Sequence, residues 1–143
     1  MSFSFKYKSV LLPSGDRISR PMIPLTIGRI PKMDIIAILD SGSDITIIPK
    51  EIAKEIGIEY SGENELSGIT GNPIKVKEGK MAVVFGRDRE HYNFEVPILV
   101  PIEQEDVSII IGRAGFFDQF KITFIEAEKK IEFKKFGAGQ IRY

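Results

Sequence analysis

Short runs rich in Ile, Val, Phe and Thr recur along the whole sequence, broken by Gly, Pro and charged turn residues at intervals of roughly 8–15 positions. Such punctuation leaves no room for long helices and predicts many short strands folded into an all-β barrel or sandwich. The candidate strands are 3–11, 22–27, 33–39, 44–48, 65–69, 74–85, 92–100, 107–111, 121–125 and 130–133, several with period-two alternation, as in Lys121-Ile122-Thr123-Phe124. Two stretches read as short helices. Residues 49–57 open on Pro49 and stop at Gly57, with Ile52, Ala53 and Ile56 on one face. Residues 114–120 space Phe116, Phe117 and Phe120 as a helix does. A hairpin is expected around 126–129, and Gly137-Ala138-Gly139 begins a loosening tail over 137–143.

At 143 residues, 43 % of them hydrophobic, the chain suits a single domain over 1–143, whose folding buries roughly 68–70 % of the unfolded surface. Twenty Lys and Arg balance twenty Asp and Glu, which argues against a nucleic-acid or anionic-membrane partner. The longest purely apolar run, Ile35 to Leu39, is far below the ~20 residues that span a bilayer. Charges are scattered through the first residues without an apolar leader, so a cytoplasmic location is expected. With no Cys, the chain has no disulfide framework, thiol nucleophile or Cys-based metal site. The lone His91 has no second His for a metal site or a relay. Neither a cofactor nor a metal is expected.

One segment carries chemistry. Residues 35–48 read Ile-Ile-Ala-Ile-Leu-Asp-Ser-Gly-Ser-Asp-Ile-Thr-Ile-Ile, a hydrophobic strand running into Asp40, the turn residues Ser41 and Gly42, and a second hydrophobic strand. Asp-Ser-Gly alone is ordinary turn chemistry, with Asp bonding its own backbone. Apolar residues on both flanks place this carboxylate in an expected buried setting, and a buried, unpaired Asp needs a reason.

Leu39-Asp40-Ser41-Gly42-Ser43-Asp44-Ile45-Thr46 resembles the active-site loop of retropepsin-like (retroviral-type) aspartic proteases, an apolar residue followed by D-[ST]-G-[AS]. Downstream, Ile109-Ile110-Ile111-Gly112-Arg113 is similar to that family's apolar strand ending in Gly-Arg. Between them, Leu66-Ser67-Gly68-Ile69-Thr70-Gly71 followed by 74–85 resembles its glycine-rich flap hairpin. The three motifs stand in the family's order and with their linking strands cover roughly residues 20–135. The resemblance implies a closed β-barrel with a flap hairpin and one or two short helices, active as a homodimer. It implies Asp40 as the catalytic carboxylate, with Ser41, Gly42, Ser43, Asp44 and Thr46 in the active-site loop. Ser41 would lock two such loops together across the dimer. Asp44 and Arg113 would form a structural ion pair, and Gly68, Ile69, Thr70 and Gly71 the flap over substrate.

Only one D-[ST]-G occurs, so the resemblance implies one half-site per chain and water activated between two Asp40 carboxylates. A peptide or unfolded protein is the implied substrate. Two departures stand out. Ala114 follows Gly112-Arg113 where many retroviral members carry Asn or Asp, and the chain continues past the expected helix into 120–133. Both point toward cellular and microbial members rather than viral ones. The rival readings are a catalytically silent module of the same fold that grips peptides, and a carboxylate–metal site built on Asp40 and Asp44.

Overall fold

A computed structural model describes residues 2–67 and 71–137. Among the described residues twelve strands run in chain order: β1 (Ser2–Lys6), β2 (Lys8–Leu11), β3 (Arg17–Arg20), β4 (Met22–Ile27), β5 (Met33–Leu39), β6 (Thr46–Ile47), β7 (Tyr60–Ser67), β8 (Pro73–Arg87), β9 (Glu90–Pro101), β10 (Ile110–Ile111), β11 (Phe120–Ile125) and β12 (Lys130–Lys135), with one α-helix, α1 (Lys50–Glu55). No helix among the described residues is long and apolar enough to cross a membrane.

The largest sheet runs β4-β5-β10-β6-β9-β8-β7, and β4 also pairs with β8 through Thr26 opposite Val84 and Ile27 opposite Val83. That second pairing closes β4, β5, β10, β6, β9 and β8 into a six-stranded barrel, with β7 hairpinned onto β8 outside it. Alternation selects the inner face. Ile35, Ala37 and Leu39 of β5 point inward and are buried, as are Ile23, Leu25 and Ile27 of β4 and Met81, Val83 and Phe85 of β8.

The chain ends form a second layer. β1 and β11 flank β12 in a three-stranded antiparallel sheet, with Phe3 opposite Phe133 and Ile122 also opposite Phe133. This sheet locks to the barrel through aromatic rings. Phe133 lies 4.8 Å from Phe85 and 5.4 Å from Phe3, while Phe116 and Phe120 lie 5.2 and 5.5 Å from Phe85. Each such pair adds about 0.5–1.5 kcal/mol beyond the area it buries.

Several expected elements differ. Residues 3–11 form two strands: the Tyr7 N–H makes the last bond in the β1–β12 register, to the Lys129 carbonyl at 2.7 Å in the β11–β12 turn, and from Lys8 the chain pairs with β3 instead. Arg17–Arg20 pairs with β2, although its alternation is too polar to announce a strand. The strands expected at 44–48 and 107–111 shrink to two residues each, since the chain must bend on either side of them. The strand expected at 65–69 starts earlier, at Tyr60. The helix expected over 114–120 is replaced by a turn with a 3-10 segment at Phe117–Gln119. Gly115, at φ +77°, breaks any α-helix there, and the ring spacing instead serves the core through Phe116 and Phe120. Of the expected tail, residues 138–143 lie outside the described residues.

Because the chain ends meet within one protomer, the aromatic cluster belongs to the monomer's stability. Phe133→Ala is expected to cost about 3–5 kcal/mol in a urea melt. Deleting residues 2–6 removes Phe3 and β1's pairing with β12 and should lower the melting temperature even of dilute protein.

Candidate active site

Leu39 is the last inward-facing residue of β5, and Asp40 follows where the strand gives way to a turn. Three backbone bonds fix this point. The Leu39 N–H donates to the Pro21 carbonyl (2.9 Å), the Asp40 N–H to Ile111 (3.0 Å), and the Ser43 N–H closes the turn onto the Asp40 carbonyl (3.2 Å). Within the turn, the Gly42 N–H donates to Asp40 Oδ1 at 2.9 Å. A Cβ on residue 42 would stand 3.2 Å from that oxygen, so glycine keeps the donor close without crowding the carboxylate.

The loop is held from the other side by β10 and the residues after it. β10 runs parallel to β5, with Ile110 opposite Ile38 and Ile111 opposite Leu39, and antiparallel to β6, with Ile110 opposite Ile47. Beyond it, the Arg113 N–H donates to the Ser43 carbonyl and the Ala114 N–H to the Asp44 carbonyl, each at 2.9 Å. Ala114, which lacks a polar side chain, therefore holds the loop through its backbone. Gly112 packs so tightly that a Cβ there would lie 2.5 Å from the carbonyl carbon of Ile45. Its N–H donates at 3.1 Å to Thr46 Oγ1, the hydroxyl of the one buried polar residue among those described. Ser43 Oγ donates to the Ile45 carbonyl at 2.9 Å.

Arg113 Nη2 and Asp44 Oδ1 form an ion pair, so the two expected partners meet. The pair is open to water, with 82 % of the Asp44 side chain and 54 % of the Arg113 side chain exposed. At such exposure it contributes about 0–1 kcal/mol, less than the buried Gly112–Thr46 bond. Asp40 is half-buried in one chain rather than enclosed, and Ser41 and Gly42 are exposed. The apolar flanks that suggested burial point elsewhere: Leu39 into the core, with Ile38 and Ile45 half-covered.

The site residues thus separate into groups. Asp40, Ser41, Gly42, Ser43, Asp44, Thr46 and Arg113 converge at one end of the barrel. Gly71 lies just before β8 at φ +78°, while Gly68, Ile69 and Thr70 lie outside the described residues. Among the described residues no cluster of three or more His, Cys, Asp or Glu is placed to hold a metal ion. A concavity of about 660 Å³ lies on the outer barrel face, lined by Pro24, Ile36, Val84, Gly86 and His91 among others, and Asp40 is not part of it. What sequence reasoning missed is the backbone latch from 113–114 to 43–44. A backbone bond leaves no side-chain signature, and Gly112 was its only visible trace.

No family model and no curated protein matches the sequence. Solved structures do. A retropepsin-like aspartic protease from Rickettsia conorii superposes with a TM-score of 0.58 at 14 % identity, over 93 % of this chain and 91 % of that one. The retroviral protease-like domain of Ddi1 from Leishmania major superposes with a TM-score of 0.53 at 12 % identity, over 87 % of this chain and 99 % of that one. The chain has the retropepsin-like fold.

A double-mutant cycle on Asp44→Asn and Arg113→Met should give a coupling of no more than about 1 kcal/mol in urea unfolding. Thr46→Val, which leaves the Gly112 N–H buried without an acceptor, should cost about 1–3 kcal/mol.

Proposed function

We propose that this protein is an aspartic endopeptidase that works as a homodimer, each chain supplying Asp40 to one shared site. The observation that carries the reading is the mounting of Asp40. It sits at the end of a core strand on a turn pinned from both sides, with a backbone donor on Oδ1 and its side chain accessible from outside the barrel. A turn Asp of purely local purpose has no need of the parallel β5–β10 pair or of the latch behind it.

Two such carboxylates a few ångströms apart share one proton, which is the familiar arrangement of aspartic proteases. The ionised member takes a proton from a water, and the water oxygen bonds to the scissile carbonyl carbon. The protonated member donates to the carbonyl oxygen. In the collapse of the tetrahedral diol the protonated carboxyl gives its proton to the leaving nitrogen, the C–N bond breaks, and the other carboxylate takes a proton from a diol hydroxyl, so the dyad again holds one shared proton. Ser41 is assigned to the contact between the two loops, and the exposed Asp44–Arg113 pair to trimming the loop's edge. The segment joining β7 to β8, Gly68 to Gly71, is assigned to closing over an extended peptide. Apolar Ile45, Ile47 and Ile110, half-covered around the loop, favour apolar residues beside the scissile bond.

The test is a digest of denatured protein with cleavage sites mapped by mass spectrometry. Asp40→Asn should lower the cleavage rate by at least about 10²–10⁴-fold, the usual worth of a positioned acid–base group. A wild-type chain that binds peptides and cuts none would instead be the silent module. Specific activity should fall on dilution, since the site exists only in the dimer.

A further inference from the structure

The barrel seam between β4 and β8 is short. Thr26 lies opposite Val84 and Ile27 opposite Val83, and there the register ends, whereas β4 pairs with β5 along its whole length. The next outward-facing position on that seam would set Pro24 against Gly86, and Pro24 has no N–H to donate. No side chain on β8 fills the space, because a Cβ on residue 86 would stand 1.7 Å from the Glu90 carbonyl oxygen. The concavity of about 660 Å³ on the outer barrel face lies over this gap. Its lining comes from β4, β5, β8 and β9 alone, so hydrogen-bonded strands hold its shape.

The walls are apolar. Pro24 pairs across to Ile36, which is 50 % exposed, and Val84 closes the β8 side. A lone exposed isoleucine needs no explanation. This one borders a hollow of the size that takes a small organic molecule, and apolar walls with few polar groups are the usual character of such sites. The polar groups are few and well placed. Asp34 lies opposite Thr26, and its Oδ1 accepts the Thr26 hydroxyl at 2.6 Å, which orients the carboxylate. Among the described residues no Lys, Arg or His forms an ion pair with Asp34. The other titratable residue in the lining is His91, so the hollow offers a fixed carboxylate with no Lys or Arg to balance it. A cationic donor is the complement of such a group, since hydrogen bonds between ionised partners are the strong ones.

We propose that this hollow binds a small organic cation, an ammonium group carried on an apolar body about the size of one ring. The ammonium meets Asp34, and the body lies on Pro24, Ile36 and Val84. Asp40 is not part of the hollow, so the inference is independent of the protease reading.

The test is an amide NMR titration of the whole chain near neutral pH with phenethylammonium, its neutral counterpart phenethyl alcohol, and the anion phenylacetate. A fourth probe, N-acetyl-lysinamide, carries its ammonium on a flexible stem as a protein lysine does. Phenethylammonium should give saturable shifts centred on residues 24–26, 34–36, 84–86 and 91. The alcohol and the anion should bind at least about fivefold more weakly, the upper worth of an ion pair that water reaches. Asp34→Asn keeps an oxygen for the Thr26 hydroxyl and should erase the preference for the ammonium over the alcohol, while Ile36→Ser should weaken both. Shifts that stay linear to the solubility limit, shifts centred elsewhere, or an Asp34→Asn chain that still prefers the ammonium overturn the site. N-acetyl-lysinamide binding as tightly as phenethylammonium overturns the ring-sized ligand and makes the hollow a seat for a lysine of another protein. Both substituted residues are exposed. The four probes on the unaltered chain decide the matter alone if a variant fails to fold.

Discussion

Strand β10 is two residues long, yet it is hydrogen-bonded to both strands that flank residues 40–45, parallel to β5 and antiparallel to β6. Everything at the candidate site follows from its insertion. The Ile111 carbonyl takes the Asp40 N–H, and Gly112 then passes against the Ile45 backbone at a distance no side chain permits. Thr46 turns its hydroxyl inward to meet the Gly112 N–H. Removing one of these bonds would leave a buried donor without a partner, which costs more than the bond itself is worth. The site's geometry is in this sense a consequence of backbone satisfaction in the barrel wall.

That origin explains why the charged pair beside it matters less than its residue types suggest. Asp44 and Arg113 meet in water, where ordering two long side chains offsets most of the Coulomb gain. The same two residues hold the loop and the following turn together through their backbones, Asp44 as acceptor for Ala114 and Arg113 as donor to Ser43. The carbonyls and amides place the loop in a water-poor strand junction, and the side chains decorate its exposed rim.

The second constraint is aromatic. Phe3, Phe85, Phe116, Phe120 and Phe133 pack edge to face and stacked, so both ends of the chain are tied to the barrel within one protomer. β12 is paired on both edges, and the Arg87 guanidinium bonds the Ser4 carbonyl at 2.9 Å beside β1. β12 therefore offers no free edge to another strand.

Much of this was legible in the sequence. The strands at 22–27 and 33–39 are read with their observed bounds, because alternation on a half-buried sheet face is a local property of residue type. The three ordered motifs place Asp40 and Gly112 at one site. Other features depend on partners distant in the chain. The ribbon at 8–20 was half missed because Arg-Ile-Ser-Arg shows no apolar face, and only its pairing with β2 makes it a strand. Over 114–120 phenylalanine spacing alone does not distinguish a helix face from rings reaching into a common core, which is what the structure has there. By itself the sequence determined the all-β class, the single Asp-Ser-Gly turn and the exclusion of thiol and His-pair chemistry, since these follow from residue types and local periodicity. Only the tertiary structure decided that Asp40 stays half-open, that the loop is latched by backbone amides, and that the chain ends close on themselves. Burial and hydrogen-bond partners are set by what the rest of the chain brings alongside.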